Sequence, residues 1–312
     1  MCYSAEVEAE YKLYVREWGA TMSIKEYFDI FWRRRSDPSI VIPKSMEAPF
    51  ASPGSPDELR IKELIDEFNL QQVARFETEF FTQRTRLIDA QRKLVTKVTK
   101  SAQESERIAN NKIARAQAKL DDLRRTHIEP RDGRIYPANY APVMVMRDGE
   151  RKLVPMRYLC RLPDKPVFYD TKYPGTYNAR RDSLDNFWKP VFGISHGVLV
   201  VNAFYENVTV GGSDGAPANT VLQFRPQSGD PMLVACVWAH WTAPGHDDLL
   251  SFAVITDEPP PEVAAAGHNR CPIAIKPESM DDWLSPSLGA LQRQQEILDD
   301  KQPFYYEHRQ AA

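Results

Sequence analysis

Four short segments of the sequence carry side chains that could do chemistry together. A thiol, an amide, a carboxylate and an imidazole are supplied by Met1-Cys2, Tyr177–Arg180, Ala203–Asn207 and His268–Pro272. A thiol is a nucleophile, and carboxylates and imidazoles are common general acids and bases. If Met1 is removed, Cys2 becomes the N-terminal residue. The set therefore favours nucleophilic or acid–base chemistry.

Each of these residues also has an ordinary structural interpretation. Glu206 follows an apolar run from Val198 to Tyr205, and a glutamate at the end of a strand often faces solvent. His268 follows three alanines and Gly267 and fits a structural or surface histidine. Asn178 could shape a turn. The chemical interpretation therefore depends on the four segments acting together.

The composition is that of a folded protein. The chain has 312 residues, 11% of them aromatic, and a net charge of −3. This length fits one large domain or two small ones, and the aromatic content argues against disorder. No apolar run reaches the ~20 residues of a membrane span, and Glu6, Glu8 and Glu10 interrupt any signal pattern. We expect a soluble cytoplasmic protein, and a nucleic-acid interaction would need a local basic patch.

The four cysteines do not indicate a metal site or a disulfide scaffold. None of them forms a Cys-x-x-Cys pair,. Cys236, His240 and His246 are close in sequence, but Cys236 lies in an apolar run and is expected in the core,. We therefore expect neither a metal nor another cofactor.

Helical patterns dominate the first 130 residues. Apolar spacing over residues 5–18 predicts a helix that ends at Gly19. Ser23 with Glu26 predicts a capping box for a second helix, and Asp37-Pro38 should end that helix.

A longer helical region follows. Ser55-Pro56 predicts a helix start, and no proline or glycine occurs from there to about Arg125,. The pattern predicts one or two long exposed helices, with a turn or stutter near Ala109–Asn111.

After Pro130 the pattern changes to short apolar runs separated by Gly and Pro. Strands are predicted at Val143–Met146, Leu153–Met156, Val198–Phe204, Val221–Phe224, Met232–Trp238, Phe252–Thr256 and Ile273–Ile275,. Asp148-Gly149 predicts a hairpin, and short helices are expected at Ser279–Trp283 and Leu288–Asp299. The fold class is therefore α+β: a curved, mostly antiparallel, barrel-like sheet with flanking helices and a long inserted helical hairpin or arm.

Together the motifs resemble those of the SOS-response-associated peptidase (SRAP) family. Met-Cys at the start, Asn178-Ala179-Arg180, Phe204-Tyr205-Glu206 and the His268-x-Arg270-x-Pro272 pattern occur in the family's order. Asn139-Tyr140-Ala141-Pro142 and the run ending at Thr256 also match. The resemblance places the catalytic core at residues 1–20 and 130–312. Residues 21–129 are then an inserted helical region, with long helices at about 57–126.

The resemblance implies a protein that recognises abasic sites in single-stranded DNA and links to them covalently. Without Met1, Cys2 has both a thiol and an α-amine, whose pKa is ordinarily ~7.7–8.0. The amine can form a Schiff base with the aldehyde of the opened sugar. The thiol can then close a five-membered thiazolidine ring. Lyase-like chemistry and autolytic removal of Met1 fit the same group.

The resemblance also assigns roles to individual residues. Glu206 would be the general acid/base, His268 would assist proton transfer, and Asn178 would orient the amine or the opened sugar. Arg180 and Arg270 would hold phosphates, and Thr256 would support His268. Contacts to DNA are expected from Asn139, Arg180, Arg181, Trp188, Thr256 and Arg270, with Trp188 as a base-stacking platform.

Two departures from the family pattern bear on the site. Family members commonly begin Met-Cys-Gly-Arg, whereas Tyr3-Ser4 follow Cys2 here, so a basic contact beside the nucleophile is missing. The usual tryptophan after the Phe-Tyr-Glu glutamate is Asn207, which removes one aromatic wall.

Two other functions stay open at this point. The first is a cysteine-dependent peptidase acting in trans, with Cys2 as nucleophile, His268 as base and Asn178 as orienter. The second is a non-catalytic module whose long helices bind a partner, either a protein or additional DNA. Arg33-Arg34-Arg35 beside Trp32 fits a DNA backbone contact or a helix C-terminus. We expect a monomer associated with the nucleoid.

Overall fold

The computed structural model describes residues 3–211, 217–287, 289 and 291–311. The chain divides into two compact units, one formed by residues 1–52 with 129–312 and the other by residues 53–128. The sequence expectation began the inserted region at residue 21. In the structure, residues 21–52 belong to the first unit.

The first unit contains the strands and most of the short helices. Its strands are β1 (Ser4–Val7), β2 (Thr21–Met22), β3 (Arg134–Ile135), β4 (Tyr140–Arg147), β5 (Glu150–Tyr158), β6 (Asn178–Arg180), β7 (His196–Gly211), β8 (Pro217–Pro226), β9 (Met232–Trp241), β10 (Leu249–Asp257), β11 (Cys271–Pro272) and β12 (Tyr306–Gln310). Its α-helices are α1 (Tyr11–Trp18), α2 (Ile24–Arg34), α3 (Lys44–Glu47), α6 (Tyr169–Lys172), α7 (Pro261–Ala265), α8 (Met280–Leu284) and α9 (Leu291–Asp299). The second unit contains α4 (Pro56–Thr96) and α5 (Lys100–Arg124).

Five strands close into a barrel, which confirms the predicted α+β fold with a curved, mostly antiparallel sheet. β4 pairs antiparallel with β5 and β7, and β9 pairs antiparallel with β7 and β10. A parallel pairing of β10 with β5 completes the ring. A closed ring leaves no exposed edge among these strands.

Strand β7 carries the chain from the barrel to the candidate site. Its first half pairs with β9 over His196–Val201, and its second half pairs with β8 over Phe204–Gly211. Strand β1 pairs with β7 from Val201 to Tyr205, where the two halves meet. Glu206 therefore lies where β7 has left β9 and runs between β1 and β8.

Alternating side chains of the barrel strands fill two cores. Leu199 and Val201 of β7 belong to one buried cluster, while Val198 and Val200 belong to a second cluster with Trp283 and other helical residues. This period of two is what a strand covered on both faces requires.

Residues 5–7 are a correction to the expected first helix. They form part of β1, whose four residues are all buried between β7 and β3. The helix begins only at Tyr11 and ends at Gly19, which has a φ of 61°. Pairing with distant strands overrode a local spacing that suits a helix.

The hairpin predicted at Asp148-Gly149 is confirmed in the first unit. Asp148 and Gly149 have φ values of 52° and 77° between β4 and β5, as a two-residue hairpin requires,. Ser23 is the N-cap residue of α2, but the predicted capping box is wrong: the Ser23 side chain accepts no hydrogen bond from the helix backbone, and its hydroxyl bonds to the Glu26 carboxylate instead.

The second unit is an antiparallel pair of helices. The Ser55 hydroxyl caps α4 by accepting a hydrogen bond from the amide of Glu58. The break between the helices lies at residues 97–99, so the expected turn near Ala109–Asn111 is wrong. Ala109 is fully buried within α5, and Thr99 supplies the cap that starts this helix.

Two further observations concern membranes and metals. None of the described helices is long and apolar enough to cross a membrane. No group of three or more His, Cys, Asp or Glu side chains within the described ranges is arranged to hold a metal ion. Cys236 is buried, and its burial raises the pKa of its thiol.

Candidate functional site

A buried carboxylate and an imidazole form the centre of the site. Glu206 is 1% exposed, and its Oε2 lies 3.0 Å from Nε2 of His268. His268 sits in the loop between α7 and β11, next to Gly267. Gly267 has a φ of 94°, and a Cβ added there would lie 3.9 Å from the Val208 side chain, so this loop passes close to β7. The loop thus brings a histidine 62 positions away in the sequence to the second half of β7.

The contact between Glu206 and His268 holds a proton. A carboxylate oxygen and a ring nitrogen 3.0 Å apart need one hydrogen between them,. Nδ1 of His268 lies 2.8 Å from the carbonyl oxygen of Arg270, which orients the ring. Burial raises the pKa of Glu206, although the His268 hydrogen bond opposes this shift. The pair is therefore suited to giving and taking a proton.

The start of the described chain also reaches Glu206. The backbone amide of Tyr3 donates a hydrogen bond to the Glu206 carboxylate. Ser4, the first residue of β1, is paired with Tyr205 of β7. Cys2 lies outside the described residues. Its neighbour Tyr3 is nevertheless fixed by backbone contacts to the strand that carries Glu206.

Strand β10 joins the Asn178 segment to the His268 segment. β6 pairs with one side of β10, where Asn178 lies opposite Val254 and Arg180 lies opposite Thr256. β11 pairs with the other side, where Pro272 lies opposite Thr256. Asn178 and Thr256 are both buried. The Asn178 segment, the run that ends at Thr256 and the His268 segment therefore belong to one continuous piece of sheet and its loops.

Two arginines share one aspartate beside this sheet. Arg180 makes two hydrogen bonds to the Asp182 carboxylate, at 3.2 and 2.6 Å. Nη2 of Arg270 lies 3.8 Å from the same carboxylate. The hydrogen bond from Arg180 lowers the pKa of Asp182, and the charge of Arg270 acts in the same direction. The cluster carries more positive than negative charge and can attract an anion.

The family model described as SOS response associated peptidase (SRAP) matches residues 95–310. This chain belongs to the SRAP family. Membership associates it with the SOS response to DNA damage, with DNA binding and with peptidase-like or crosslinking activity in general. No curated protein matches the chain.

Several solved structures are similar to the chain. A protein from Bordetella bronchiseptica is 15% identical, with a TM-score of 0.48 over 58% of this chain and 87% of that chain. A protein from Bacteroides thetaiotaomicron is 15% identical, with a TM-score of 0.47 over 57% of this chain and 77% of that chain. A phage-related protein from Bordetella bronchiseptica is 20% identical, with a TM-score of 0.44 over 57% and 80%.

Trp188, the stacking platform that the SRAP resemblance suggested, is almost entirely buried. It is 3% exposed and packs edge-on against Phe187, with ring centroids 5.0 Å apart. It borders the hollow that Asn178 and Arg180 also line, with little ring surface exposed, and its role as a stacking platform stays a prediction.

Two other expected DNA contacts have structural partners. Arg181 donates to the carbonyl oxygens of Leu298 and Gln295 and pairs with Asp299, so it ties β6 to the end of α9. Oδ1 of Asn139 accepts a hydrogen bond from the amide of Tyr136 at 2.9 Å and shapes the turn before β4. Both side chains are engaged within the fold.

An aromatic hollow beside Asn178 was missed by sequence reasoning. It has a volume of about 360 Å³, and Tyr169, Tyr173 and Phe187 line it together with Asn178 and Arg180. Phe187 and Tyr169 are nearly parallel, with an interplanar angle of 15°. The four aromatic residues between 168 and 177 were the available signal. Without a fold, nothing showed which of them face outward.

The missing basic residue after Cys2 has a counterpart from another part of the SRAP chain. Nε of Arg134 donates to the Ser4 hydroxyl at 3.2 Å. Its guanidinium carbon lies 3.7 Å from the centre of the Tyr205 ring and 5.1 Å from that of Tyr136. A guanidinium therefore lies beside position 4, where family members commonly have arginine, although this residue is serine here.

Proposed function

We propose that this protein binds single-stranded DNA at an abasic site and forms a thiazolidine crosslink through Cys2 after removal of Met1. One observation carries the proposal. The amide of Tyr3 donates to the Glu206 carboxylate, which also bonds to His268. Tyr3, the residue that follows Cys2 in the sequence, therefore contacts this acid–base pair.

The crosslink needs two nucleophiles on adjacent carbons, and an N-terminal cysteine provides them. The neutral α-amine adds to the C1′ aldehyde of the opened sugar, and loss of water gives a Schiff base. The thiol then adds to the same carbon, its proton moves to the nitrogen, and the five-membered ring closes. The overall reaction joins an aldehyde to an aminothiol and releases one water.

Glu206 and His268 are suited to the proton transfers in this sequence. Opening the sugar requires a proton on the ring oxygen, and dehydration requires a proton on the departing hydroxyl. Because its pKa is raised, Glu206 retains a proton at higher pH than an ordinary glutamate,. His268 can return the proton to Glu206, since the two groups are in direct contact.

The surroundings of this pair fit a nucleotide strand. Asn178 and Arg180 line the aromatic hollow, and Arg270 faces Asp182 next to Arg180. We assign phosphate contacts to Arg180 and Arg270, and orientation of the opened sugar to Asn178. Thr256 supports the sheet between them. An unpaired base can stack on the exposed ring of Phe187,.

The test uses the purified full-length protein and a single-stranded oligonucleotide with one abasic site. We expect an adduct that survives denaturation, and mass spectrometry should show a protein without Met1. Cys2→Ala should abolish the adduct. Cys2→Ser keeps the amine, so it should give only an imine that is detected after borohydride reduction.

A second variant separates the thiazolidine from other thiol chemistry. Insertion of leucine between Met1 and Cys2 keeps the thiol but removes the amine from the same residue. An equally stable adduct with this variant would contradict the proposal. Turnover of a peptide substrate without DNA would instead support the cysteine-dependent peptidase acting in trans.

A further inference from the structure

The helical unit contains a basic segment, although the net charge of the whole chain is small and negative. Eleven basic and five acidic residues lie between positions 75 and 119, whereas the whole chain carries −3. This stretch covers the second half of α4 and most of α5. Positive charge is therefore concentrated in this part of the helical pair, within a weakly acidic protein.

Part of this charge lines a groove between the two helices. The groove has a volume of about 730 Å³ and is lined by Arg75, Thr78, Thr82, Lys112, Arg115 and Lys119, among others. We call it the basic groove. Its four cationic side chains are exposed.

Most of the charge in the basic groove is not neutralised by neighbours. Lys112 lies 3.3 Å from the Glu79 carboxylate. Within the part of the chain that the structure describes, Arg75, Arg115 and Lys119 form no ion pair. By contrast, Arg60, Lys62 and Arg107 on the same helices each pair with a carboxylate. The basic groove thus offers three uncompensated cations to an anionic ligand.

An exposed aromatic ring lies beside the basic groove. Phe81 is 67% exposed and lies three residues after Thr78, on the neighbouring part of the same helix face,. The guanidinium of Arg75 also lies 5.7 Å from the Phe76 ring. Cations combined with an exposed aromatic ring match a single nucleic-acid strand, which has phosphates and unpaired bases. An acidic protein surface would supply charge but no base to stack.

We propose that the basic groove and Phe81 bind single-stranded nucleic acid without sequence specificity. The phosphates contact Arg75, Arg115 and Lys119, and a base stacks on Phe81. This interaction needs no abasic site and no Cys2 chemistry. It therefore remains testable whatever the outcome for the crosslink.

The first test measures the binding of an undamaged fluorescent oligothymidylate to full-length Cys2→Ala protein. The triple variant R75Q/R115Q/K119Q removes the uncompensated cations. We expect it to bind about tenfold more weakly and to show a salt dependence smaller by about two ion equivalents.

The matched control is R60Q/K62Q/R107Q, which removes the same number of charges from already paired side chains. It should bind within about twofold of the parent protein. Circular dichroism should show unchanged helix content for both variants. Equal losses of affinity in the two triple variants would show that net charge alone is responsible, and the proposal would fail.

The second test separates nucleic acid from an acidic protein. Phe81→Ala should weaken binding to the single strand by about fivefold or more, because base stacking is lost. It should leave binding to a duplex of equal length unchanged. Leu70→Ala, another exposed apolar residue of α4, is the control. The proposal is wrong if F81A has no effect, or if poly-glutamate of equal charge competes as well as the oligonucleotide.

Discussion

At the residue scale, the buried carboxylate of Glu206 connects the proposed chemistry with stability. It is buried beside His268, and its burial raises its pKa. We predict that Glu206→Gln slows crosslink formation by about 10²–10⁴-fold, the usual effect of losing a general acid or base. The measurement is the adduct formed over time on a denaturing gel. Glu307→Gln, an exposed carboxylate on β12, should leave the rate unchanged.

The same substitution has a pH-dependent effect on stability. An unfolded glutamate releases its proton near pH ~4.3, whereas the folded Glu206 holds its proton to higher pH,. The native state therefore binds more protons in this window, and its free energy of unfolding falls as pH rises. Since glutamine does not ionise, the gain in melting temperature of E206Q over the wild type should be larger at pH 7 than at pH 4. A pH-independent difference would contradict the shift.

Removal of the Asp182 carboxylate should strengthen DNA binding. Its carboxylate accepts two hydrogen bonds from Arg180 and faces Arg270, so it competes with phosphate for these cations. We predict that Asp182→Asn tightens binding to an undamaged single strand by about two- to fivefold. Fluorescence anisotropy measures the effect. Asp185→Asn is an exposed control with the same change in charge, and equal tightening in both variants would assign the effect to net charge.

At the element scale, sequence patterns predicted strands and caps better than they predicted contacts. Gly and Pro punctuation located most barrel strands, and Asp148-Gly149 located a hairpin. The pattern failed at residues 5–7, since a four-residue strand is too short to show its period beside a helix. The pairing of Glu206 with His268 follows from a loop that closes over β7. No local spacing contains that information, so only the family resemblance could suggest it.

Burial is the other property that the sequence did not show. Trp188 and Phe187 are adjacent, yet Trp188 is in the core and Phe187 is exposed. Likewise Arg181 is tied to α9, whereas Arg180 is about half exposed. Adjacent residues of the same chemical type thus differ in availability to a ligand, because the strand and the turn point them in opposite directions.

The helical unit allows a prediction about packing. Ala102, Ala109 and Ala116 are spaced by seven residues and buried, and Lys112 pairs with Glu79 across the two helices. Small side chains let the helices approach closely. We predict that Ala109→Leu, which overpacks this contact, destabilises the unit by about 1–3 kcal/mol. Amide hydrogen exchange in α4 and α5 measures the loss. Ala118→Leu, at an exposed position of α5, is the matched control.

At the scale of the whole molecule, a buried histidine allows a prediction about the response to acid. His196 starts β7, where its Nε2 accepts a hydrogen bond from the amide of Gly193 and its Nδ1 donates to the carbonyl of Trp283. Its ring stacks on Trp283 with centroids 4.0 Å apart. Burial lowers the pKa of His196 to about 4. The folded barrel therefore holds this ring in the neutral form.

The consequence is a loss of stability in mild acid. In the unfolded chain a histidine takes up a proton near pH ~6.5, but folded His196 does so only near pH 4. The unfolded state therefore binds more protons in between, and stability is fully present above pH ~6.5 and decreases toward pH 4. The shift corresponds to about 3 kcal/mol. We predict that the melting temperature falls over this range in the wild type and falls less in His196→Gln, while His240→Gln, at an exposed site, follows the wild type. Parallel curves for all three proteins would show that other groups cause the acid sensitivity.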